Sequence, residues 1–178
     1  PKPDEDTMLT PMMTAANIRQ LIKCWARYPG EYETSLAFIS TTFGPRVCEM
    51  STTQGLQVTG KSIIISVAKR KALVLREHGI PESYMRYIAG YRNLSENGAR
   101  DRFHRILREA GIKRAEGMGF HSIRRGLATT FTDMGVINPL WKRFMRWAPD
   151  ATDMSSVYFH KPFDEVNSII LGQIPNPE

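Results

Sequence analysis

Two short segments of this chain carry residue types at spacings suited to phosphate chemistry. The first is Thr41-Thr42-Phe43-Gly44-Pro45-Arg46-Val47-Cys48-Glu49-Met50. A helix is expected to stop at Gly44-Pro45, an arginine leaves the turn, and a carboxylate follows three residues later. Such a carboxylate holds an arginine in one rotamer and leaves its fork free for a phosphate. The competing reading is a helix-surface ion pair, which contributes little. The second segment is the helix expected from His121. At about 100° per residue, Ile123, Leu127, Phe131 and Met134 share one face and are expected to be buried. His121, Arg124 and Ala128 fall beside that face, on a flank that can line a cleft. A histidine three residues before an arginine presents a proton carrier and a guanidinium to one ligand. Taken alone, the pair is more often a surface histidine beside an unrelated arginine. Arg125 points further round the helix, as a solvated charge or a contact to backbone phosphate.

Those segments need elements to hold them. From Thr14, a helix start, Ile18, Leu21, Ile22 and Trp25 recur at i, i+3, i+4 and i+7, and Pro29-Gly30 ends the run. A second helix is expected over 32–42, burying Leu36, Phe38 and Ile39. The pattern then changes period. Segments 56–59 and 62–67 are rich in β-branched residues and flank Gly60-Lys61, a hairpin signature. The basic turn Lys69-Arg70-Lys71 leads to a third expected strand, Ala72-Leu73-Val74-Leu75. Helices resume at Pro81-Glu82 and continue over 95–110, where Phe103, Ile106, Leu107 and Ala110 form a stripe stopped by Gly111. Further helices are expected from His121, Pro139, Thr152 and Phe163. The fold class is therefore mainly α with a small antiparallel β-sheet. Residues 1–13, with Asp4-Glu5-Asp6, read as an arm or linker end, and 14–178 as one domain.

Composition narrows the function classes. With 24 Lys plus Arg against 18 Asp plus Glu, the net charge of +6 favours an anionic partner, nucleic acid first. Two cysteines are too few for a disulfide scaffold or a cysteine zinc cluster. The apolar runs, such as Ile63-Ile64-Ile65, are too short to span a bilayer, so no membrane partner is expected. Arg100, Arg102, Arg105 and Arg108 lie outside their helix's apolar stripe, where they touch DNA phosphates or form a solvated face. His78, His104 and His160 are expected at the surface. Taken singly, Trp147 and Tyr158 read as core residues.

The order of these residues is more informative than any one of them. Arg46 with Glu49, a lysine in the turn after the hairpin, His121-x-x-Arg124, Trp147 and Tyr158 follow one another along the chain. That series resembles the tyrosine recombinase (phage integrase) family, specifically its C-terminal catalytic domain. Thr42-Phe43-Gly44-Pro45-Arg46-Val47-Cys48-Glu49 is similar to the family's Thr-Gly-Leu-Arg-x-x-Glu segment, with Pro45 in place of leucine. His121-Ser122-Ile123-Arg124-Arg125-Gly126-Leu127-Ala128-Thr129-Thr130 is similar to its His-x-Leu-Arg-His-Thr-x-Ala-Thr segment. Trp147 stands where histidine is commoner. The wording of Arg124-Arg125-Gly126 and Arg146-Trp147 resembles eukaryotic transposon recombinases of the DIRS and Crypton kinds, and Lys-Arg-Lys-Ala-Leu at 69–73 resembles Cre-type enzymes. The likeness covers nearly the whole chain, from Thr14 to Phe163, without the family's N-terminal core-binding domain.

The resemblance implies the integrase catalytic-domain fold and a site-specific recombinase acting on double-stranded DNA, located wherever the DNA is. By that likeness Tyr158 attacks the phosphodiester and keeps a 3′-phosphotyrosyl link, while Arg46 and Arg124 stabilise the charge that develops on the nonbridging oxygens. His121 helps remove the phenolic proton, and Trp147 donates its indole N–H to the phosphate or packs Tyr158. Lys71 protonates the leaving 5′-hydroxyl, with Lys69 as the alternative. Lys69, Arg70, Arg125 and Arg100 would contact DNA. No cofactor and no metal is implied. A homo-oligomer on DNA is, with the stripe Phe163, Val166, Ile169 and Ile170 on the C-terminal helix over 163–172 docking on the next protomer or packing on its own domain. Two rivals share parts of this pattern: a type IB topoisomerase, and a DNA-binding module of the same fold that has lost catalysis.

Overall fold

The first apolar stripe becomes α1 (Ala15–Trp25), capped by the Thr14 hydroxyl, which accepts from the Asn17 amide at 3.2 Å. A computed structural model describes residues 11–51, 55–68, 70–147 and 161–173. Helix α2 (Tyr32–Phe43) is buried along its entire length, well beyond the expected Leu36, Phe38 and Ile39. Its polar side chains tolerate this because most find partners: Thr34 donates to Trp25 O and Tyr28 O, Thr41 donates to Ala37 O, and Glu33 accepts from Arg102 and Arg105. The small Ser, Thr and Ala positions let α1, α3 (Glu82–Ile88), α4 (Glu96–Glu109) and α5 (Phe120–Asp133) close around α2. The central helix thus carries the core.

Strands β1 (Leu56–Val58), β2 (Ser62–Ser66) and β3 (Leu75–Gly79) form one antiparallel sheet in the order β1-β2-β3. Ile63 pairs with His78 and Ile65 with Arg76. The expected third strand over 72–75 is therefore displaced. Leu73 and Leu75 stand exposed, and the ladder begins only at Leu75 and runs through Leu-Arg-Glu-His-Gly. An edge strand needs few apolar residues, and here its single fully buried side chain is a histidine, which hid the strand from a search for apolar runs. His78, expected at the surface, has no exposed area at all.

After α5 the chain forms α6 (Asn138–Phe144) and, past a segment outside the described residues, α7 (Phe163–Leu171). The segment from Thr152, where a helix is expected, lies in that gap, as does His160. Helix α7 packs on its own domain against α6 and β3, with Val166 and Ile170 fully buried, so its stripe is not an unoccupied face for a neighbouring protomer. At the other end, Met13 is fully buried and its amide donates to Ser122 O at 2.9 Å; the packed body takes in the last residue of the expected arm. Met134 departs from its stripe: as the C-cap of α5 it is 41% exposed. Tyr28 likewise lies in the turn after α1, exposed, with its ring edge-on to Trp25. Among the described residues, the protein is mainly helical with one small antiparallel sheet, and no helix is long and apolar enough to cross a membrane.

Helix α5 lies so close to the chain ahead of α1 that a Cβ on Gly126 would meet Met13 O at 2.1 Å. In an open helix Gly→Ala stabilises by about 1 kcal/mol. Here the backbone of Met13 would have to move, and overpacking of this kind costs about 1–3 kcal/mol. Gly126→Ala is expected to lower Tm by several degrees, about 2–4 °C per kcal/mol at this size; thermal unfolding checks the sign.

Candidate functional site

The site is built on the turn that ends α2. Gly44 caps the helix with φ 55°, the left-handed region that glycine enters without a Cβ penalty. Pro45 follows, and Arg46 in extended conformation opens a 3-10 turn, Val47–Met50. Glu49 is fully buried, which excludes the surface ion pair. Its Oε1 accepts from Arg46 Nη1 at 3.0 Å and from the Ala68 amide at 3.1 Å; its Oε2 accepts from the Arg46 amide at 2.9 Å. Arg46 keeps 18% side-chain exposure and is the guanidinium of the cluster most open to a ligand.

Arg124 comes to the same place from α5. It is buried, donates through Nη1 to Gly44 O and through Nη2 to Met145 O, both at 2.6 Å, and lies 5.7 Å from the centre of the Trp147 ring. Trp147 is 38% exposed and stands edge-on to Trp141 at 5.3 Å. It is therefore no core residue but a half-open indole beside the arginine.

The turn between β2 and β3 is tied to this cluster at two points. The Ala68 amide is held by Glu49, and Arg70 Nη2 donates to Arg146 O at 3.4 Å. Lys71 stands exposed on that turn, while Lys69 lies outside the described residues. His121, the second residue of α5, is exposed and borders a cleft of about 300 Å³ with Val47, Arg100, Arg114 and Phe120. Arg125 is half-buried on the next face. Tyr158 lies outside the described residues. The basic row on α4 is largely engaged within the chain: Arg100 pairs with Glu96, Arg102 with Glu33, and Arg105 with both Glu33 and Glu109. His104 is exposed and contacts Arg114.

A third arginine, missed in the sequence, sits beneath the first two. Arg146 has a fully buried side chain, and its Nη2 lies 3.7 Å from Glu49 Oε2. Its Nη2 donates to Phe43 O at 3.0 Å, and its Nη1 to Phe144 O at 3.2 Å and to His78 Nε2 at 3.0 Å. The sequence signal was faint. Arg146 stood out there only within the Arg146-Trp147 wording, and His78 only as one of three histidines expected at the surface.

Two guanidiniums, Arg46 and Arg146, thus share one carboxylate, and a third, Arg124, is fixed on the carbonyls of Gly44 and Met145 within reach of the same charges. Burial, then the charges of Arg146 and Arg46, holds Arg124 well below the ordinary guanidinium range. Burial also lowers Arg146, although Glu49 opposes the shift. For Glu49, burial raises the pKa, but Arg146, the amides of Arg46 and Ala68, and the Arg46 charge outweigh it and keep the carboxyl below its usual value. Such an excess of fixed, dehydrated positive charge is relieved by an incoming anion. A phosphodiester oxygen fits, since Arg46 and Arg124 approach as preorganised forks. Among the described residues no group of three or more His, Cys, Asp or Glu converges as a metal ion's ligands. No family model, no curated protein and no solved structure matches the chain.

Proposed function

We propose that this protein is the catalytic domain of a tyrosine site-specific DNA recombinase, with the integrase catalytic-domain fold and double-stranded DNA as its substrate. The observation that supports it most is the Glu49-centred cluster. Arg46 and Arg124, far apart in sequence and matching two separate family segments, meet at the Gly44 turn: Arg46 is paired with the buried Glu49 that also holds the lysine-bearing turn, and Arg124 donates to Gly44 O two residues before Arg46. In this reading the scissile phosphate lies against Arg46 and Arg124, beside the Trp147 indole. His121 assists removal of the phenolic proton. The Tyr158 oxygen forms a bond to phosphorus as the bond to the 5′-oxygen breaks, and that oxygen takes a proton from Lys71. The 3′-phosphotyrosyl ester conserves the bond energy, so a 5′-hydroxyl can attack it and release the tyrosine.

The test is a nicked suicide duplex from the native element, run on a denaturing gel. A covalent protein–DNA adduct is expected. Its absence, with duplex binding intact, would replace the proposal with a binding module of this fold. Adduct formed equally on unrelated sequences would favour topoisomerase-like breakage. The same assay addresses the general acid. Lys71→Ala is expected to slow cleavage by about a hundredfold, in the range of a lost proton donor, and a 5′-thio leaving group, which needs no proton, is expected to restore it. Lack of rescue would remove Lys71 from that role.

A further inference from the structure

We propose that Arg146 is the positioning residue of the arginine pocket: a buried guanidinium, held by a neutral histidine, that fixes the two turns from which Arg46 and Arg124 act. The identity of the bound anion rests on the functional reading above; the positioning does not.

The geometry is a double stitch. Arg124 donates to the carbonyls of Gly44 and Met145, and Arg146 donates to those of Phe43 and Phe144. Neighbouring carbonyls of the same two turns are therefore clamped by two guanidiniums side by side. Behind them, Arg146 reaches Glu49 Oε2 at 3.7 Å, the oxygen that accepts the Arg46 amide. Loss of Arg146 would loosen the Gly44 turn, the Met145 turn and the carboxylate together. Each of these orients one of the two outer arginines.

Arg146 holds this place against two costs. Its backbone has φ 62°, where a non-glycine residue costs about 1–3 kcal/mol. Its charge is fully buried, and its Nε is a buried donor without a partner. A glycine would remove the backbone strain, so the strain points to a role for the side chain.

His78 is the other half of the device. A guanidinium has only donors, so His78 Nε2 must accept, and Nδ1–H then donates to Asn167 Oδ1 at 2.7 Å. Asn167 is itself oriented by donating to Gly79 O at 2.9 Å. The remaining wall is aromatic: Phe43, Phe144 and Phe163 lie within 5.1 Å, centre to centre. Among the described residues, the charged group touching His78 is Arg146, with Glu49 behind it. A protonated imidazole would meet a cation there, and burial and Arg146 both disfavour it. Neutral His78 is thus an acceptor built to hold Arg146.

The test compares Arg146→Gly, His78→Leu and His78→Gln with the wild type, using inorganic pyrophosphate as the probe and the Nε–H NMR signals of Arg46 and Arg124 as a ligand-free readout. Arg146→Gly suits the backbone and removes the guanidinium. It is expected to weaken pyrophosphate binding at least about tenfold, the loss of one or two charge-assisted hydrogen bonds, and to broaden both arginine signals. Added methylguanidinium is expected to recover part of the affinity. His78→Leu should behave like Arg146→Gly, whereas His78→Gln, which offers a carbonyl to Arg146, should stay within about twofold of wild type. Wild-type pyrophosphate affinity with unmoved arginine signals in Arg146→Gly would overturn the proposal. Should that variant fail to fold, equal behaviour of His78→Leu and His78→Gln would overturn it instead. A wild type that binds no pyrophosphate and forms no adduct would sink the functional reading, while the arginine signals would still report on positioning.

Discussion

Tyr158→Phe is expected to abolish the covalent protein–DNA adduct while leaving duplex affinity within about twofold, since one hydroxyl adds little to an interface dominated by phosphate contacts. The reason lies in the other tyrosines. A phenol with pKa about 10 is already a poor nucleophile near neutral pH. Burial pushes Tyr32 up to about 12, raises Tyr91 further, and raises Tyr84 as well. Tyr87 is buried, stacked on Phe38 at 4.4 Å. Tyr28 is exposed but sits at the opposite end of α2 from Gly44, about 18 Å away by the rise of a 12-residue helix. Tyr158 follows Trp147, the indole that borders Arg124, by 11 residues in the sequence. Adduct persisting in Tyr158→Phe would assign the nucleophile elsewhere and end the recombinase reading.

How far the sequence reached can be seen residue by residue. Helical periodicity located α1, α4 and α5 because each buries one continuous stripe, and Gly44 and Gly111 marked the ends of α2 and α4 through the left-handed conformation both adopt. Gly60-Lys61 marked the β1-β2 turn because it stands between two β-branched runs that pair antiparallel. What escaped was set by distant packing. The whole of α2 is buried because four helices surround it, which no window of its own residues records. Strand β3 is defined by pairing with β2, and it carries a histidine inward because Arg146, from a turn 68 positions away, requires an acceptor. Arg46, Glu49 and Arg124 were legible because their spacing repeats a chemical pattern. Arg146 was not, because its role appears only when the Phe43 and Phe144 carbonyls meet.

Glu49→Gln is expected to be the most destabilising single-atom exchange at the site. The carboxylate accepts from two backbone amides and one guanidinium, with a second guanidinium at 3.7 Å, and it has no solvent contact. Glutamine can accept at one oxygen, but its amide hydrogens would face the N–H groups of Ala68 or Arg46, donor against donor. Three guanidiniums would then share a pocket with no anion. Removing one partner of a buried pair costs about 3–5 kcal/mol, and at about 2–4 °C per kcal/mol that is a fall in Tm of about 6–20 °C. The acid limb of stability supplies an independent check. Glu49 has a folded-state pKa below its unfolded value of about 4.3. Its contribution is therefore present above that pH and lost as pH falls through the folded value. His78 is also depressed, so its contribution is lost earlier, as pH falls below about 6.5. Wild-type stability should decline in both windows, Glu49→Gln only in the upper one, and His78→Gln only in the lower. Thermal unfolding of the three proteins from pH 7 to pH 3 reads both. A Glu49→Gln protein with wild-type Tm and an unchanged acid limb would mean that the carboxylate does not hold the arginines, and the pocket would lose its organising charge.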